Sequence, residues 1–297
     1  MRKSVFLIVF SVFLMIFATQ NIFGQTIKGS HYELKIAQDQ KAVLILFPCF
    51  PCHIEHTKTE AGFLKGIEKK GVTTILLDYN QKLFLTESEK QQYAKTLHKI
   101  FKRNKITKDN IYIGGFSSGG NVALLMTTFF IKNHDCVKPK GLLVVDSPID
   151  LEKLYDDAKK DVAKNADPEA VEEGKSLTEL LEKEIGKPDI NREKYKMFSP
   201  YLMSAPAEEG NIQYLKNIKT RFYCEPDLKW QLEKKNRTYE ELNAYVLEKA
   251  NQTLLKAGSK HTELIQTQDR GIRANGTKHP HSWNIVDGNE LVKWMVE

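Results

Sequence analysis

Apolar positions in this chain fall into short, nearly continuous runs separated by longer amphipathic, charge-rich stretches. Ala42 to Phe47, Val72 to Leu77, Ile111 to Gly114 and Gly141 to Val145 are runs of strand length, rich in β-branched residues. Apolar side chains on both alternating sets of positions mark strands buried on both faces. Tyr32 to Ile36 alternates and reads as a half-buried strand. Ile218 to Cys224 and Thr262 to Thr267 read as later strands. Between them lie helix patterns. Thr59 to Lys69, Ser88 to Phe101 and the apolar run from Val122 are predicted helices, and Thr238-Tyr239-Glu240-Glu241 caps another that runs to Lys256. Alternation of strand and helix predicts an α/β fold with a mostly parallel central sheet flanked by helices. Ligands of such sheets bind at the carboxyl ends of the strands.

The alternation breaks after Asp150. Residues 151–210 carry helix signals and many charges but no core strand. Ser176-Leu177-Thr178-Glu179 has the spacing of a capping box, with Gly186 as a stop. This stretch is expected to be a helical cap, dividing the core into residues 25–150 and 211–297. At the N-terminus, Arg2 and Lys3 precede an apolar run from Val5 to Ala18, with Gly24 beyond it. The run falls short of the ~20 residues that span a bilayer. It predicts a signal peptide over residues 1–24 and a protein exported to the periplasm or medium. Cleavage there would lower the net charge from +6 to +4. The remaining charges are interspersed, which argues against a nucleic-acid footprint. No second long apolar run follows, so no stable membrane span is expected.

Cys49, Cys52, Cys136 and Cys224 are the four cysteines. Cys49 and Cys52 form a C-x-x-C pair, read as packing or a local disulfide; a thiol oxidoreductase is the rival, set in poor context by Pro48 and Pro51. No second C-x-x-C or histidine pair completes a metal set, and neither metal nor cofactor is expected.

The chemistry centres on Gly115-Phe116-Ser117-Ser118-Gly119, between a strand and a helix. A G-x-S-x-G turn in that setting exposes its serine on a strained backbone, with the helix N-terminus facing it. Asp227 follows the strand ending at Cys224, and His281 follows the last strand. With these three residue types in this order, the chain resembles the α/β-hydrolase-fold serine hydrolases. The resemblance implies covalent acyl transfer with Ser117 as nucleophile, His281 as base and Asp227 as the acid that orients it. Glu225 or Asp146 could replace Asp227, and His279 competes with His281. It also implies an oxyanion site made by the backbone N–H groups of Ser118 and, from the loop after Phe47, Phe50. That loop reads Phe47-Pro48-Cys49-Phe50-Pro51-Cys52-His53 where the family commonly has a His-Gly-rich segment. An ester of a small molecule, carbohydrate or lipid is the expected substrate. A peptidase of the same fold and a non-catalytic relative are the alternatives. The oligomeric state is not legible.

Overall fold

The computed structural model describes residues 24, 26–78 and 82–297. The predicted signal peptide lies, but for Gly24, outside the described residues. Among the described residues, no helix is long and apolar enough to cross a membrane.

The buried runs form an eight-stranded sheet in the order β1-β2-β4-β3-β5-β6-β7-β8. The strands are β1 (Thr26–Lys28), β2 (Tyr32–Lys35), β3 (Ala42–Phe47), β4 (Val72–Leu77), β5 (Ile111–Phe116), β6 (Pro139–Val145), β7 (Lys219–Cys224) and β8 (Thr262–Gln266). β1 and β2 enter antiparallel. From β4 to β8 every neighbour is parallel. Parallel pairing needs crossovers, and the helices between strands supply them: α1 (Ile54–Glu60), α2 (Glu87–Arg103), α3 (Ser118–Lys132), α4 (Leu151–Lys164), α5 (Pro168–Glu184), α6 (Arg192–Phe198), α7 (Leu228–Lys235) and α8 (Asn243–Lys256); α9 (Gly288–Val296) follows β8 and covers one face.

β3 shows why the runs are continuous. Val43, Ile45 and Phe47 pack into the layer that holds α2, α3 and α8. Ala42, Leu44 and Leu46 pack into the opposite layer with α9. Each large side chain so buried contributes on the order of 1.5–3 kcal/mol, which makes this strand the spine of the sheet.

Two local expectations change, and one helix is added. The helix over Thr59–Lys69 is instead α1 followed by 3-10 turns at Gly62–Leu64 and Ile67–Lys70. Gly62 and Gly66 interrupt the pattern, and Gly66 takes a left-handed φ of 74°. Ser176 to Glu179 lies inside α5, which starts earlier with Asp167 as N-cap and Pro168 in its first turn. Proline favours that position because its missing N–H is not needed there. Leu228–Lys235 forms a helix, α7, with Asp227 as its cap.

Between β6 and β7 stand α4, α5 and α6, with no strand among the described residues. α4 and α5 pack closely at Gly174, where a Cβ would meet the Ala158 carbonyl oxygen at 2.7 Å. Gly174→Val should therefore force the two helices apart and lower stability by about 1–3 kcal/mol. Chemical denaturation would read this, and an unchanged midpoint would show that the helices accommodate the side chain.

Candidate active site

The strand-to-helix turn after β5 places Ser117 at φ 55° and ψ −131°. Non-glycine residues rarely take such a backbone, at a cost of order 1–3 kcal/mol. Close approach holds it there. A Cβ on Gly115 would sit 2.1 Å from the Gly119 carbonyl carbon, and one on Gly119 would sit 2.4 Å from the Phe47 carbonyl oxygen. The loop after β3 thus lies against the first turn of α3. On the other side, a Cβ on Gly120 would meet Ser147 Oγ at 1.9 Å. The Ser117 N–H donates to the Val145 carbonyl at 2.9 Å. The turn is wedged between the ends of β3 and β6.

His281 belongs to the same cluster. Its ring lies over Phe116, centroid to centroid 4.4 Å, and Phe116 is the residue before Ser117. Phe116 in turn packs on Trp283 at 5.4 Å. His281 Nδ1 lies 2.6 Å from Asp146 Oδ2. A neutral imidazole that donates from Nδ1 keeps Nε2 as its basic nitrogen. Asp146 stands at the end of β6, the strand beside β5. Its own N–H donates to the Tyr223 carbonyl at 2.8 Å, and its carbonyl accepts from Asn243 Nδ2 at 3.0 Å.

This corrects the expected acid. Asp227 is not brought to His281; its Oδ2 lies 2.7 Å from Lys278 Nζ, and its Oδ1 accepts from the Trp230 N–H at 3.2 Å. Burial works against its charge, but Lys278 and the Trp230 amide hold its carboxyl below the usual range. The other acid after β7, Glu225, is buried and also committed. It accepts from Thr267 Oγ1, Arg270 N–H and Gly271 N–H, each at 2.9 Å. Glu225 braces the loop that leads to the histidines. The useful sequence signal was position: Asp146 ends the strand next to the serine strand.

His279 lies beside His281 with a different role. Its Nδ1 faces the His281 carbonyl oxygen at 3.2 Å, and its ring meets the edge of Trp230 at 4.9 Å. Burial, with the charge of Arg273 and then of His281 behind it, pulls its pKa down to about 3. His279 is uncharged near neutral pH.

A cavity of about 470 Å³ opens over Ser117, lined by Phe50, Pro51, Ser118, Asp146 and His281, with α4 and α5 contributing residues such as Leu154, Ala158 and Leu177. Asp150 caps α4, accepting from the Lys153 and Met203 N–H groups at 3.0 and 2.9 Å. Burial pushes its carboxyl up to about 6. Phe50 sits in a tight turn closed by a Cys49–Cys52 disulfide. Cys49 is not at a helix N-terminus, since α1 begins at Ile54. Cys49, Cys52 and His56 bring donor atoms within 4.8 Å, as do His98, Asp135 and Cys136. Two donors of the first group are bound in the disulfide, and neither group lines the cavity.

No protein-family model and no curated protein matches the sequence. Solved structures do match. EstE5, in a crystal soaked with p-nitrophenyl butyrate, aligns with a TM-score of 0.55 at 12% identity, over 92% of this chain and 83% of its own. A fungal esterase from Rhizomucor miehei aligns at 0.51 and 13% identity, over 91% of this chain and 81% of its own. The acylaminoacyl peptidase of Pyrococcus horikoshii aligns at 0.51 and 11% identity, over 88% of this chain but 38% of its own. The chain has the α/β-hydrolase fold. Within that fold, the nearest acid to the histidine here comes from the strand beside the serine strand.

The depressed His279 has a measurable consequence. As pH falls below the ordinary histidine range, the unfolded chain takes a proton that the folded protein refuses until about pH 3. Folded stability is then lost as pH falls from about 6.5 toward 3. His279→Gln should flatten thermal melting temperature between pH 6.5 and 4. An unaltered slope would assign the acid sensitivity to other groups.

Proposed function

We propose that this α/β-hydrolase is a serine ester hydrolase. The observation that carries the reading is the set of groups gathered at the carboxyl ends of β5 and β6. Ser117 sits on a strained turn, and His281 is stacked on the residue before it and hydrogen-bonded to Asp146.

In the proposed reaction Ser117 Oγ attacks the ester carbonyl carbon while His281 Nε2 takes its proton. Asp146 fixes the tautomer and stabilises the imidazolium that forms. The carbonyl π electrons move to oxygen. That oxyanion is held by the N–H of Ser118, the first residue of α3, where the helix dipole adds to the donor. The second donor is the N–H of Phe50. Pro48 and Pro51 have none to give, and Phe50 lines the cavity with Ser117. The oxyanion then collapses, the alcohol leaves with the proton from His281, and an acyl-Ser117 ester remains. Water, deprotonated by the same histidine, repeats the sequence and releases the acid.

The basic, apolar N-terminal run supports the further reading that the enzyme is exported. A disulfide in the oxyanion loop suits an oxidising compartment.

Ser117→Ala, His281→Ala and Asp146→Asn should each lower kcat on p-nitrophenyl butyrate by about 10³-fold or more, with losses that do not add in double variants. Asp227→Asn should leave turnover within a few-fold. Steady-state kinetics on the five proteins, with the matching p-nitroanilide as an amide control, check this. Near-full activity in Asp146→Asn, or collapse in Asp227→Asn, would move the acid back to the end of β7. Faster cleavage of the anilide would make the enzyme an amidase.

A further inference from the structure

The cavity over Ser117 is lined by four basic side chains among the described residues: Lys153, Lys235, Arg237 and Arg273. Three are neutralised by neighbours. Lys153 pairs with Asp157. Lys235 Nζ lies 3.8 Å from Asp167. Arg237 Nε donates to Asp161 at 3.0 Å. Arg273 differs: no carboxylate of the described residues lies within ion-pair distance of its guanidinium. Its charge still bears on the site, because it is the largest charge acting on His279 after burial.

The backbone that carries Arg273 is held on several sides. The Arg273 N–H donates to the Thr277 carbonyl at 2.9 Å, and Gly276 N–H returns a bond to the Arg273 carbonyl at 2.9 Å. Ile272 bridges Lys278, and the Ala274 N–H donates to Glu60 at 2.9 Å. Upstream, Glu225 takes the Arg270 and Gly271 amides. The backbone that carries this cation, eight residues before His281, is therefore held in place, which lowers the ordering cost of an anion site there. Across the cavity the cap helix α5 offers Glu169, Glu172 and Glu173, which likewise have no ion-pair partner among the described residues. Carboxylates line other parts of the cavity as well, Asp146, Asp150 and Glu225 among them, so the favourable contact for a negative group is Arg273, the lining Lys or Arg of the described residues that has no ion pair.

We infer that Arg273 is a specificity-determining residue that binds a carboxylate on the substrate, making this an enzyme for esters that carry one acidic group. The inference rests on the ester-hydrolase reading. Guanidinium and carboxylate meet as a planar, two-bonded pair, so a substrate whose free carboxylate reaches Arg273 gains both affinity and alignment of its ester over Ser117.

The test compares p-nitrophenyl valerate with mono-p-nitrophenyl glutarate, which has the same carbon count and a terminal carboxylate. The wild-type protein should show kcat/KM roughly tenfold or more higher on the glutarate ester. Arg273→Ala should abolish that preference and leave valerate turnover unchanged, and Arg273→Lys should restore part of it. Equal rates on the two esters in the wild type, or an equal loss on both in Arg273→Ala, would overturn the proposal. Calorimetry of glutarate against 1,5-pentanediol on Ser117→Ala separates the two readings. Arg273-dependent glutarate binding without hydrolysis of either ester would leave the anion site standing and remove the ester-hydrolase reading. Neither binding nor hydrolysis would remove both.

Discussion

The backbone of Ser117 is the constraint on which the site depends. A serine at φ 55° is held against its own preference, and the restraint comes from the ends of two neighbouring strands. Gly119 lets the loop after β3 touch the helix, and Gly120 lets Ser147 do so from β6. The same close approach that strains the turn brings the loop bearing Phe50 and the strand end bearing Asp146 to the serine. Strain and assembly are one feature here: a larger residue at either glycine would relax the turn only by driving the partner strand ends away.

Given that wedge, the choice of acid follows from sheet order. β6 is the strand next to β5, and Asp146 continues it directly, so a histidine lying over Phe116 has that carboxylate within 2.6 Å. The acids after β7 lie one strand further out, and they are used differently. Glu225 ties down the loop ahead of the histidines through three donors, and Asp227 starts α7 while holding Lys278. Both thus support the histidine loop from behind. Charge at the end of β7 shapes where His281 can be, while charge at the end of β6 sets its tautomer.

Much of this was legible in the order of residues, for a physical reason. β3 and β5 are buried on both faces, so nearly every position is apolar and the strands declare themselves; the elbow is legible because steric closeness leaves only glycine at Gly115 and Gly119. Residues whose role comes from the assembled sheet were harder to read. Asp227, directly after Pro226, and Asp146, two residues before Pro148, look alike in sequence, and only strand order separates them. Ser176 to Glu179 carries the letters of a cap, yet Asp167 and Pro168 start α5 nine residues earlier, because tertiary packing against α4 extends the helix through a pattern that local chemistry would use as a beginning. The division of the expected Thr59–Lys69 helix into the end of α1 and two 3-10 turns comes at Gly62 and Gly66, whose flexibility the apolar spacing around them hides. Gly120 and Phe116 gave no signal at all, since their partners, Ser147 and His281, are distant in the chain.

α4 and α5, which line the cavity from between β6 and β7, add an asymmetry that the strand ends alone would lack. Asp150 anchors α4 beyond the end of β6, four residues after Asp146, and it is buried enough that its carboxyl is pushed up to about 6. The strand end that orients the histidine is therefore continuous with the segment that hangs the cap over the cavity. Among the described residues, Glu169, Glu172 and Glu173 of α5 line one side without an ion pair; on the histidine side Arg273 is the lining cation without one, beside Glu225, whose carboxylate is held by backbone amides. A neutral ester would experience this field weakly. A group with one negative charge would be oriented by it before any contact with Ser117, since exposed charges act over about a Debye length of 8–10 Å in physiological salt. On the proposed reading the elbow would act on any acyl group that reaches it, and discrimination between substrates would fall to the charge separation between the Arg273 hairpin and α5.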